Sequence, residues 1–329
     1  LERIVEVAND KETDLLIIAG DLFDRLNIPK ESIIRVCQSL SKFSGICLVL
    51  PGNHDYYSGT EDLWKTFEDN SMDNTILLTE FEPYDLENLG YDAVIYPAHC
   101  HSKHSTTNNL DWIKDSKIDD NRLNIGVSHG AIEGLSPDMQ GEYFTMSRSE
   151  LSKIPVDLWL LGHTHVPYPL EGEGIDERIF NAGVHEADGM NYRYEGSCFL
   201  IDISKENISY ERFISGKFRF NDIYEQLNSS LEEYLREYES GYENSLLRLN
   251  LSGYINEEEY LNRESYYDKL REKVFYLDIR DDDLKIRLSP EKISEKFVHG
   301  SFPEKLLLKL SDNEDKLQIA YDLIEESRN

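Results

Sequence analysis

Along the first half of the chain, short apolar runs alternate with polar loops and amphipathic stretches. Leu1, Ile4, Val5 and Val7 recur at helical spacing within Leu1–Glu12, which predicts a short opening helix. Asp14–Ala19 (DLLIIA) then leads into Gly20-Asp21, and Gly45–Leu50 (GICLVL) leads into Pro51-Gly52-Asn53-His54-Asp55. Leu123–Val127 (LNIGV) leads into Ser128-His129-Gly130, and Val156–Leu161 (VDLWLL) into Gly162-His163-Thr164-His165. Runs of this length with few polar residues read as strands buried on both faces. Ser32–Phe43 and Thr60–Asp69 read as helices, and the strand–loop–helix alternation predicts a layered α/β domain. Ligands of such sheets gather at the carboxyl ends of the strands, the side on which the conspicuous Asp, Asn and His residues fall.

Past His165 the pattern turns β-rich, with strands expected at Arg178–Asn181, Ser197–Ile203 and Ile208–Phe213. From about Gly216 the character changes. Asn221–Tyr238 reads as an acidic, Tyr-rich helix, Ser245–Leu251 as a strand and Glu257–Lys273 as a charged helix. Short strands follow at Val274–Ile279 and Leu284–Leu288, then a break at Ser301-Phe302-Pro303 and a last helix at Asp312–Ser327. The expected division is a layered domain over 1–216, a smaller accessory α/β domain over 217–300 and a helical segment over 301–329. There is no internal repeat and no low-complexity tract.

Composition narrows the class. Of 329 residues, 40% are hydrophobic and 11% aromatic, enough for a sizeable core and too many for a disordered chain. Cys37, Cys47, Cys100 and Cys198 show no CxxC spacing, and the first two lie in apolar runs, which fits reduced thiols in a cytoplasmic setting. No apolar run reaches the ~18 residues that span a bilayer, so no membrane partner is expected. The net charge of −30, from 64 acidic and 34 basic residues, opposes tight autonomous binding of nucleic acid. It does not oppose phosphoester cleavage, because bound cations dominate the local field of a site.

Hydrolysis of a phosphate ester needs a deprotonated water and an offset for charge on the non-bridging oxygens. Two cations about 3.5–4 Å apart supply both. Their ligands must be His nitrogens and Asp or Asn oxygens converging from separate loops. Asp21, Asn53, His129, His163 and His165 are such a set, each in a loop that follows an expected buried strand. Any one of them alone reads equally as a satisfied polar residue in a turn; their joint order argues for a metal site.

These residues also carry a resemblance. Gly20-Asp21-Leu22-Phe23-Asp24-Arg25, Gly52-Asn53-His54-Asp55, His129 and Gly162-His163-Thr164-His165 resemble the GDxxDR, GNHD, His and GHxH motifs of calcineurin-like metallophosphoesterases. The resemblance implies a four-layer αββα sandwich, with the smaller α/β region after it. It implies that Asp21 bridges two divalent ions, that Asn53, His129 and His163 complete one site, and that His165 serves the other. Mn²⁺ is the ion it favours, with Fe²⁺ or Zn²⁺ compatible with the same ligands. His54 acts on the leaving-group oxygen, with Asp24 orienting its ring. Arg25 either contacts a phosphate oxygen or forms a salt bridge with the following helix. Asp55 holds its loop by backbone hydrogen bonds. His185 is a candidate substrate contact. His99, Cys100, His101 and His104 read as a polar surface loop, with His99 alternatively lining the cleft, and His299 as incidental.

The family's Asp-x-His motif on a first strand has no counterpart upstream of Asp21, where no histidine occurs. The chain opens in what the resemblance makes the first helix, so that motif is expected to lie upstream. One site is therefore incomplete, and the expectation is one ion held well, a second held poorly, and low activity. GDLFD with Asn27-Ile28-Pro29, LVLPGNHD, Asn181-Ala182-Gly183 and Gly196–Ile203 resemble the DNA-exonuclease branch of SbcD and YhaO type. That branch implies DNA as substrate in repair, an SMC-like ATPase subunit of SbcC type as partner, and a homodimer. The alternatives are a phosphatase or small-molecule phosphodiesterase on the same fold, and a non-catalytic scaffold subunit. The acidic Tyr-rich stretches read as solvated faces or as a surface for the ATPase.

Overall fold

The apolar runs become strands of two face-to-face sheets. Those at Gly45–Leu50, Leu123–Val127 and Val156–Leu161 are central. Leu15–Ala19, expected to be buried on both faces, is an edge strand and only partly buried throughout. β1 (Leu15–Ala19), β2 (Ile46–Leu50) and β3 (Thr75–Leu77) form one parallel sheet in the order β1-β2-β3. The second sheet is built from β4 (Tyr84–Asp85), β5 (Ala93–Ala98), β6 (Leu123–His129), β7 (Leu158–Gly162) and β8 (Ile179–Asn181), in sequence order. Its pairings are parallel except that of β4 with β5. β9 (Ser197–Ile203) and β10 (Ile208–Ile214) pair as an antiparallel hairpin. This computed structural model describes residues 1–135, 141–170 and 178–327.

Successive strand residues point to opposite faces, and the core divides accordingly. Cys47 and Val49 of β2 pack with Val5, Ile33, Leu40, Trp64 and Phe67 from α1 (Glu2–Asp10), α2 (Lys30–Leu40) and α3 (Asp62–Asn70). Leu48 and Leu50, on the other face, pack with Ile95, Ile125, Val127 and Leu158 of the second sheet. The far side of that sheet places Val94, Tyr96 and Trp159 against Ile113 of α4 (Asp111–Lys114) and Leu151 of α5 (Arg148–Leu151). The layers therefore run helix, sheet, sheet, helix, the αββα sandwich.

The chain divides into two compact units: Leu1–Asp188 with Tyr194–Lys217, and Gly189–Arg193 with Phe218–Asn329. The second contains a parallel sheet of β11 (Arg219–Leu227), β12 (Ser245–Ile255) and β13 (Tyr276–Ile286). α6 (Leu231–Leu235) and α7 (Glu257–Arg271) cover it, burying Leu231, Tyr267 and Leu270 with Leu247, Leu249 and Leu251. α8 (Pro290–Lys296), α9 (Phe302–Leu310) and α10 (Glu314–Glu326) follow it, with Ile293, Phe297, Leu307 and Leu317 in a smaller cluster.

Three expectations are corrected in this unit. Asn221–Tyr238 is not one helix. Ile223, Leu227 and Leu231 have helical spacing, but Asn221–Leu227 pairs in register with Leu247–Gly253, and the sheet ladder overrides that pattern. The helix begins only at Ser230, whose side chain caps it by accepting from Glu233 N. Val274–Ile279 and Leu284–Leu288 are largely one strand, because the acidic Asp281–Asp283 stretch continues through β13. Pro303 starts α9 rather than breaking the chain: it follows the N-cap Ser301 in the first helical turn, where a missing N–H costs nothing.

Candidate metal centre

The ends of β1, β2, β6 and β7 bring four donor atoms together. His129 Nε2 lies 3.2 Å from Asp21 Oδ2 and 3.0 Å from Asn53 Oδ1, and His163 Nδ1 lies 2.9 Å from the same Asn53 oxygen. Ligand atoms of Asp21, His129 and His163 all lie within 4.8 Å of one another. Asn53 and His129 are buried to 1% exposure, so water does not compete for them. Close backbone approach makes the convergence possible. A Cβ on Gly52 would lie 2.2 Å from Asp21 Oδ1, and one on Gly162 would lie 1.8 Å from Ala19 O. Asp21 (φ +53°) and His163 (φ +84°) both hold left-handed backbone, a conformation whose local cost clusters at functional sites.

The donor chemistry fits a cation. His129 Nδ1–H donates to Ala19 O at 2.8 Å, so in the neutral ring Nε2 presents a lone pair. That lone pair faces two side-chain oxygens, an arrangement that needs either a proton or a metal ion between the acceptors. Burial disfavours the charged ring, but the Asp21 carboxylate outweighs it and raises the His129 pKa. Burial likewise opposes ionised Asp21, yet His129 brings its pKa down to about 2. Asn53 Nδ2 is buried with no hydrogen-bond partner, which leaves the amide held through its oxygen.

The GNHD loop is braced around these donors. His54 N donates to Asp21 Oδ1 at 2.9 Å. Asp55, fully buried, accepts from Phe23 N at 3.0 Å and Gly52 N at 2.6 Å, and burial with the neighbouring Asp21 charge pushes its pKa up to about 7. Its role is to hold the loop. The His54 ring is half exposed, and its Nδ1 donates to the main-chain carbonyl of Asp24 at 2.9 Å. The Asp24 carboxylate, expected to orient that ring, stands 3.8 Å away, beyond hydrogen-bond reach. Asp24 orients His54 through its backbone, leaving Nε2 free.

The remaining candidates are more dispersed. Arg25 is exposed and makes no ion pair or hydrogen bond among the described residues, so the salt bridge to the next helix is not formed. His165 is outside the donor cluster; its Nδ1 donates to Asp188 Oδ2 at 2.7 Å. Asp188 escaped the sequence reading, since nothing in its spacing links it to His165. His185 is exposed, with its carbonyl accepting from Ser215 Oγ at 2.8 Å. The surface-loop reading of 99–104 holds for His101 and His104 and fails for its first two residues: His99 is 3% exposed and Cys100 is fully buried. They continue the buried end of β5, and the Cys100 thiol donates to His129 O at 3.4 Å.

The profile of the calcineurin-like phosphoesterase family matches residues 1–167, half of the chain and all five metal-ligand candidates. The chain belongs to this family. Phosphoester hydrolysis with divalent metals is thus the chemistry of its first unit. Among solved structures, one chain aligns at 12% identity with a TM-score of 0.42, covering 64% of this chain and 92% of its own, a likeness too loose to carry an argument. No helix among the described residues is long and apolar enough to cross a membrane.

Proposed function

We propose that this phosphoesterase cleaves phosphodiesters with two divalent ions, Mn²⁺ ahead of Fe²⁺ or Zn²⁺, and that its substrate is DNA within a repair nuclease of SbcD type. The observation that carries the hydrolytic reading is the convergence of Asp21, Asn53, His129 and His163 beside a histidine whose outer nitrogen is free. When bound, the ions supply an acidified water and offset charge on the phosphate oxygens. Asp21, Asn53, His129 and His163 hold the first ion. Asp21 and His165 are the donors these residues offer to the second. His54, its Nδ1–H fixed on Asp24 O, gives the leaving-group oxygen a proton from Nε2 when the ring carries both protons. Arg25 meets a phosphate oxygen, and His185 contacts the substrate.

The DNA reading draws on the GDLFD and LVLPGNHD passages and on the second α/β unit. With a net charge of −30, the chain leaves the basic path for DNA to a partner, here an SMC-like ATPase of SbcC type, acting on a homodimer. Comparing bis-p-nitrophenyl phosphate, p-nitrophenyl phosphate and 3′-ended DNA in Mn²⁺, with and without that ATPase, tests the proposal. Preference for the diester and for DNA with the partner supports it. Preference for the monoester makes the protein a phosphatase. Metal binding without turnover on any substrate makes it a scaffold. Strong, salt-sensitive DNA binding by the chain alone counts against the partner role.

A further inference from the structure

Beside the donor cluster lies a set of aromatic rings that the hydrolytic reading leaves unused. His99 directly follows β5, whose last pairing sets Ala98 against Ser128, the residue before His129. Main-chain bonds tie the same stretch to the GNHD loop: Cys100 N donates to Pro51 O at 3.1 Å, and Tyr57 N donates to Cys100 O at 2.9 Å. Tyr57 is three residues beyond His54. Its ring meets His99 edge-on, with centroids 6.1 Å apart. Phe81 lies flat on the other side of this group, stacked on His99 at 4.3 Å and 12°.

Two features of this group do not serve stability. Phe81 is 41% exposed, although its ring rests on a residue that is 3% exposed. His99 Nδ1 is buried without a hydrogen-bond partner. Burial, then the His101 charge, pushes the His99 pKa down to about 4, so the ring is neutral and stacks as an aromatic. A neutral two-ring stack whose outer residue is partly exposed, tied by its backbone to the GNHD loop, is suited to a planar group. Base stacking is sequence-tolerant and does not depend on charge. A chain at −30 needs such contacts, since it cannot hold an anionic strand by its own field.

We propose that Phe81, backed by His99, is a stacking platform for a base of a single-stranded nucleotide substrate lying next to the phosphate to be cleaved. The inference rests on the nuclease reading above. The test uses the full chain in Mg²⁺ with a short single-stranded oligonucleotide carrying 2-aminopurine, whose fluorescence falls on stacking, and an abasic counterpart measured by competition. Phe81→Ala is expected to weaken the base-bearing probe roughly 5- to 150-fold and to remove the quench, with the abasic probe little changed. Phe81→Trp keeps both the affinity and the quench, and melting curves check that each variant is folded. Equal binding and quenching by wild type and Phe81→Ala overturns the platform and leaves the nuclease reading standing. Absence of any quench of the base-bearing probe by the wild type also overturns the platform, and the nuclease reading, which leaves the backbone path to the partner, is then decided by the cleavage comparison above.

Discussion

Replacing Gly162 by Ala tests how the first metal site is aimed. Gly162 closes β7 opposite His129 in the sheet register. An added methyl would lie 1.8 Å from Ala19 O and 2.7 Å from His129 Nδ1. Those two atoms share the 2.8 Å hydrogen bond that turns His129 Nε2 toward Asp21 and Asn53. Ala19 O is main chain in a paired strand, so relief comes only from shifting the strand or breaking that bond. Overpacking of this kind costs about 1–3 kcal/mol, which lowers the melting temperature of a domain this size by roughly 2–12 °C. Losing the outer partner of a ligating histidine weakens metal binding by about 10- to 100-fold. Scanning calorimetry and a Mn²⁺ titration of the metal-free chain read the two effects. Gly59→Ala is the control: Gly59 has φ +93° but open space around it, so it adds backbone strain and leaves Mn²⁺ affinity alone. Wild-type Mn²⁺ affinity in Gly162→Ala would refute the aiming of His129 by Ala19.

Three further outcomes follow from the site. His54→Ala should lower kcat for bis-p-nitrophenyl phosphate by about 10²–10⁴-fold, whereas Asp24→Asn should cost far less, because the ring is held by the Asp24 carbonyl. The reverse order would restore the carboxylate as the orienting group. Mn²⁺ must displace the proton that Asp21 helps His129 retain, so affinity should rise with pH until the ring is neutral, with proton release measurable by calorimetry in two buffers. Metal-free stability runs the other way: a raised folded pKa contributes fully below the unfolded value and is lost as pH rises through the folded one. Binding without proton release would contradict this. Cys37, Cys47 and Cys100 are buried, and burial pushes Cys47 up to about 12 and the partly buried Cys198 up to about 11, so the native chain should react slowly with an aromatic disulfide at neutral pH and release four thiols on unfolding. Rapid labelling of several native thiols would show that β2 and its neighbours are loosely packed.

The first unit was legible because its central strands are mostly buried and even its edge strand β1 is apolar throughout. LLIIA and ICLVL leave no other reading, and the residue types that carry the chemistry come directly after them. The second unit was less so, because β11 carries its apolar residues at spacings that suit a helix until β12 pairs with it. Within the site, residue identity showed which side chains could donate but not which atom does the holding. Asp24 acts through its carbonyl, which any residue possesses. Asp188 reaches His165 from a loop with no periodic signal. His99 and Cys100 sit in a string that reads as polar surface, yet hydrogen bonds to Pro51, Tyr57 and His129 draw their backbone and thiol inward.

A Mn²⁺ titration of the metal-free chain and of Asn53→Ala, His129→Ala and His163→Ala addresses the metal centre itself. An ion should bind tightly to the wild type at this site, and each substitution should weaken it by at least about tenfold while the second unit stays folded. A tight site indifferent to these three residues would contradict the convergence of Asp21, Asn53, His129 and His163 as the place where metal binds.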